Sequence, residues 1–219
     1  MRTRLLVFVI LAAALLVALL GWVVLENASR EQAPGSVATA TNTPSMIIES
    51  VPVGASSTML NLPNLDWPVK VIIKLPDTVA TNAVRRIGEL TAELRNDSSL
   101  YTTWLELASH RKLIGDYTAA EEIWIYVTQN WADDPIAYSN LADLYLVAYH
   151  DNERAETYLL RAIKKDPGQV MFYENAYSFY RFVKKDLSRA QGILEEGIGK
   201  NPQNAEGLKK LLADLQSAL

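Results

Sequence analysis

The chain of 219 residues contains no cysteine. Disulfides, thiolate metal sites and cysteine nucleophiles are therefore excluded, and the redox compartment is left open. Histidine is nearly absent too. His110 and His150 are the only two, neither has a second ligand pair at metal-binding spacing, and each reads as a solvated or turn histidine. A glycine-rich phosphate loop and a Gly-x-Ser-x-Gly elbow are both missing. Adjacent acids such as Glu121-Glu122, Asp133-Asp134 and Glu195-Glu196 fall on helices or caps, where neighbours point in different directions, so they read as surface charge. Excess positive charge is lacking as well: the net charge is −4, which gives no general electrostatic case for nucleic acid. These absences set the expectation of a non-enzymatic protein with no cofactor, no metal and no nucleic-acid partner.

What is present begins with one long apolar run. Residues 5–25 carry no charge. As a helix they would span about 31 Å, which matches a hydrocarbon core of about 30 Å. Trp22 stands where an interfacial aromatic belongs, and Arg2 and Arg4 precede the run. The expectation is an uncleaved transmembrane signal anchor over residues 1–26, with the N-terminus in the cytoplasm and the remainder on the outer side of a cytoplasmic membrane. A cleavable signal peptide, whose apolar core is about 7–15 residues, fits less well. Residues 27–65 read as a tether, broken by Pro34, Gly35, Pro44, Pro52, Gly54 and Pro63. Residues 66–77 alternate, with Val69, Val71, Ile73 and Leu75 on one side and Lys70 and Lys74 on the other. That pattern predicts a short extended strand, either packed on the first helix or pairing with a partner strand.

The second half repeats itself. Asp116, Ala120, Trp124 and Val127 recur 35 residues later as Asp151, Ala155, Leu159 and Ala162, and again as Asp186, Ala190, Leu194 and Gly197. A fixed period of this size marks a solenoid of helix pairs. The small residue lets two helices approach closely, and the large apolar ones at i+4 and i+7 share its face. Each Asp precedes its helix as an N-cap, and Gly115 suits a left-handed residue ending the helix before. The second helix of each unit runs toward a proline: Pro135, Pro167 and Pro202. First helices carry Trp104, Leu107 and Ala108, then Tyr138, Leu141, Ala142 and Tyr145, then Tyr173, Ala176, Tyr177 and Tyr180. The first unit is one residue short in its inter-helix turn. Leu208, Leu211, Leu212, Leu215 and Leu219 form one stripe of a final helix, with Lys209, Lys210, Asp214 and Gln216 facing away.

These residues resemble the tetratricopeptide repeat family. Its pattern is carried by Trp104, Leu107, Ala108, Gly115, Asp116, Tyr117, Ala120 and Trp124, then by Tyr138, Leu141, Ala142, Tyr145, Ala155, Leu159, Ala162 and Pro167, then by Tyr173, Tyr180, Ala190, Leu194 and Pro202. Arg111 departs from it, standing where the family has tyrosine. The resemblance implies an all-α helical-hairpin solenoid of about three and a half repeats with a C-terminal capping helix, preceded by one transmembrane helix. The units fall at about 98–134, 135–166 and 167–202, after a half-repeat helix at 78–97 begun by Asp77 or Thr78 as N-cap, and the capping helix at 205–219. In this family the first helices line a concave groove that binds a peptide or helix of a partner. By register the candidate groove residues are Leu105, Ser109, Lys112, Ser139, Asn140, Asp143, Leu146, Glu174, Asn175, Ser178 and Arg181. Leu105 and Ser109 replace the Lys and Asn of the family's carboxylate clamp, so no such clamp is expected. The function implied is a protein–protein interaction scaffold in an envelope or secretion assembly, with the layout of anchor, tether and repeat pointing to a bacterium. The alternative is a membrane-tethered chaperone for exported proteins.

Overall fold

The computed structural model describes residues 62–217. The anchor expected at 1–26, most of the tether and Leu219 lie outside the described residues. Among the described residues no helix is long and apolar enough to cross a membrane.

The described chain is all-α. Its helices are α1 (Asp77–Asn96), α2 (Tyr101–Leu113), α3 (Tyr117–Asn130), α4 (Ile136–Val147), α5 (Asn152–Lys165), α6 (Val170–Ser178), a π-helical turn (Phe179–Lys184), α7 (Leu187–Lys200) and α8 (Glu206–Gln216). Each helix packs mainly on the one before it and the one after it. One apolar core runs through them all, from Ala83 on α1 to Leu215 on α8.

The second helix of each pair starts the same way. Asp116 accepts the Ala119 N–H, Asp151 that of Arg154 and Asp186 that of Arg189, at 3.4, 2.9 and 2.9 Å. Each cap satisfies one of the four N–H groups that a helix start leaves orphaned. The residue before each Asp is left-handed: Gly115 at φ 85°, His150 at 54° and Lys185 at 55°. Ala120, Ala155 and Ala190 are wholly buried, as the close helix approach requires. The first helices are pinned by their aromatics. The Trp104 indole donates to Ser98 O (2.9 Å), and the hydroxyls of Tyr138 and Tyr173 donate to Ala132 O and Pro167 O (both 3.3 Å), each six residues back.

The extra turn residue of the second and third units is taken up by widening the helix end. Asp116 N–H reaches Arg111 O, five residues back, whereas Asp151 reaches Tyr145 O and Asp186 reaches Tyr180 O, six back. In the third unit the widening extends into the π-helical turn.

Two local expectations are corrected. The first helix begins at Asp77, and the residue before it is Pro76, with no side-chain cap. Pro76 sits at φ −57°, already suited to helix entry, and Asp77 lies in the first turn, where a negative charge meets the helix dipole. Residues 66–77 form no strand. The backbone of 62–76 is an irregular strap whose polar groups go elsewhere. Ile72 N–H donates to Ile114 O at 2.8 Å, and Arg111 donates to Trp67 O and Pro68 O, both at 3.1 Å. Leu65, Val71 and Leu75 pack on the core, while Val69, Ile72 and Ile73 stay exposed, so strict alternation fails. The strap bonds to a turn carbonyl and a guanidinium, and neither imposes a two-residue period on side chains.

Candidate partner-binding groove

The register places the candidate residues on α2, α4, α6 and the π-helical turn after α6. They differ widely in access. Leu105 is 6% exposed and belongs to the core. Ser109 is half-buried, and its hydroxyl is spent on Leu105 O at 2.8 Å. Ser139, Asn140, Leu146, Glu174 and Asn175 are half-buried, and Ser178 is exposed.

Two of the candidates meet across consecutive units. The Lys112 ammonium on α2 hydrogen-bonds the Asp143 carboxylate on α4. Burial pulls the Lys112 ammonium down to about 8, and the carboxylate opposite works against that shift. Arg181 is held on its own helix. Its guanidinium donates to the Tyr177 hydroxyl and lies 5.7 Å from the Tyr177 ring centre and 5.2 Å from that of Phe182. Burial pushes the Glu174 carboxyl upward. Its Oε1 lies 3.2 Å from where a Cβ on Gly207 would sit, so the carboxylate faces the start of α8. The arrangement offers hydrogen-bonding side chains on a partly apolar surface, with one cation and one anion already paired. Among the described residues no group of three His, Asp or Glu is placed to hold a metal.

Other charged residues build the joints between units. Tyr145 donates to Glu121 Oε1 at 2.5 Å, with the Arg154 guanidinium 4.2 Å over the tyrosine ring. Thirty-five residues on, Tyr180 donates to Glu156 Oε1 at 2.8 Å, with Arg189 at 5.0 Å over its ring and 2.6 Å from the same carboxylate. Burial, then the neighbouring carboxylate, raises both phenols, Tyr180 to about 12. The first joint lacks this set. Arg111 stands in the tyrosine's place and Ala119 in the arginine's, 35 before Arg154. Arg111 is 2% exposed and turns to the strap carbonyls and to Asp116 Oδ2 at 2.9 Å. The strap thus joins Arg111 at the first joint, which lacks the Tyr–Glu–Arg set. Its further ties are Asn64 N–H to Glu122 at 3.3 Å and Arg95 to Asp66 at 2.5 Å. The sequence signal for this was the single departure at 111.

No family model matches the chain, and no curated protein matches it.

Proposed function

We propose that residues 98–204 are a tetratricopeptide array and that the chain is a non-enzymatic scaffold. It binds a peptide or helix of a partner protein along the face of its first helices, while an N-terminal span holds it in a membrane. The observation that carries this reading is the repeated geometry of one 35-residue unit. Left-handed residues at 115, 150 and 185 precede capping aspartates at 116, 151 and 186. Stacked helix pairs bury a continuous core and leave an extended face for recognition. Asn140 and Asn175 are half-buried on that face, and an amide there offers a peptide backbone both a donor and an acceptor.

Cross-linking in the native membrane tests it. Full-length protein is co-purified and compared by mass spectrometry with an Asn140→Ala/Asn175→Ala/Arg181→Ala variant. One or two proteins enriched with the wild type and lost with the variant are the expected result. A broad set of exported chains would point to a chaperone. A partner list unchanged by the variant sinks the groove assignment.

A further inference from the structure

The turns that join the two helices of each unit carry a feature the groove does not use. The three most exposed large apolar side chains among the described residues are Phe182 (65%), Ile72 (61%) and Val147 (58%). One lies at each successive turn. Val147 ends α4, three residues before the left-handed His150, and Phe182 lies three before the left-handed Lys185. In the first unit the strap supplies the group. Ile72 bonds to Ile114 O, and its Cβ lies 3.2 Å from where a Cβ on Gly115 would sit.

The capping aspartates at these turns are engaged: Asp116 with Arg111, Asp151 with Arg154, and Asp186 with the Arg189 N–H of its own helix start. Exposed lysines stand beside the apolar groups at the first and third turns, Lys70 and Lys74 around Ile72 and Lys185 after Phe182. Exposed acids near this edge are Asp66 on the strap, held by Arg95, and Asp143 one helical turn before Val147, held by Lys112, with Asp77 and Glu153 in the helices that follow. In a chain of net charge −4 the first and third turns of this edge set exposed lysines beside exposed apolar side chains.

We infer that the turn edge marked by Ile72, Val147 and Phe182 docks on an anionic phospholipid bilayer. Apolar side chains spaced along one edge can each enter the interface, and the lysines beside Ile72 and Phe182 can meet lipid phosphates, a combination that fits an anionic bilayer surface. Docking there would orient the array with its turns toward the membrane. The inference does not rest on the groove, and a failure of either leaves the other standing.

The absence of cysteine makes the test direct. Full-length Ile72→Cys, Val147→Cys and Phe182→Cys variants are each labelled with an environment-sensitive dye, with Ala132→Cys, at an exposed inter-unit loop position, as control. Emission is read on nanodiscs of neutral phosphatidylcholine and on discs containing phosphatidylglycerol. A blue shift at 72, 147 and 182 on the anionic discs alone is expected, with position 132 unmoved. Lys70→Gln/Lys74→Gln/Lys185→Gln should weaken the response about fivefold per lysine removed. No shift on anionic discs, or an equal shift at 132, overturns the proposal. A shift seen in native membranes but not in protein-free lipid overturns it in favour of a protein partner.

Discussion

A Cβ added at Gly197 would lie 2.7 Å from both the Tyr173 ring and a Leu208 methyl. The ring is wholly buried, and its Cγ, one of the atoms met, does not move when the ring rotates. Gly197→Ala should therefore destabilise by about 1–3 kcal/mol, read as a lower urea midpoint. The sequence marked position 197 as a small residue in the repeat, but not the ring that makes alanine too large. The left-handed positions behave oppositely to one another. Gly115→Ala must strain at φ 85° and meet an Ile73 methyl at 2.8 Å, so it should both destabilise and loosen the strap. His150→Gly relieves a left-handed backbone at the cost of chain entropy, for an expected gain of about 0.5–1 kcal/mol. Glycine at 115 was legible; histidine at 150 in the same conformation is visible only through the period. Glu106 adds a pH dependence. The Arg86 guanidinium, then His110, holds its carboxyl down at about 2 against an ordinary 4.5. Its folded value is depressed, so its contribution is complete above pH about 4.5 and is lost as pH falls toward 2. Urea midpoints across pH 2–6 should fall more steeply for wild type than for Glu106→Gln.

At the scale of an element, the strap is the least legible part of the fold and one of the most consequential. Its apolar alternation reports a buried side but not where the backbone hydrogen bonds go. Those are set by Arg111 and Ile114, more than thirty residues away in sequence. The guanidinium satisfies two carbonyls and a carboxylate from one buried position, which a lysine ammonium on a flexible stem does not reproduce. Arg111→Met should cost about 3 kcal/mol or more, because Asp116 loses its partner and two carbonyls lose their donor. Hydrogen exchange would then show the Ile72 amide unprotected while amides of α5 to α7 stay protected. Uniform loss across all helices would contradict a local role for the strap. The helices themselves were legible because their signals are local: a capping Asp, a small residue, apolar residues four and seven positions on.

Across the whole described chain, helices meet mainly their sequence neighbours, so stability is close to a sum of units and joints. Removing residues after Asn204 takes away α8, whose buried Leu208 and Leu215 cover the last pair. Exchange protection should fall first in α6 and α7 and least in α1 and α2, and a single uniform transition would refute that gradient. The π-helical turn after α6 had no sequence signal, while the three helix pairs followed from the 35-residue period and the last helix from its leucine stripe. Which surface carries function did not, because groove positions such as Ser139, Asn140 and Ser178 are ordinary residues for any exposed helix.

The bond from each first-helix aromatic to a carbonyl six residues back acts as a ruler. A single residue inserted between 98 and 104, 132 and 138, or 167 and 173 throws the hydroxyl or indole off its acceptor. A whole 35-residue cassette inserted between two such loops leaves every measure intact. The gene can therefore lengthen or shorten by units and not by residues, and a duplicate of 135–169 spliced in frame after Gln169 should fold as one more step of the same array.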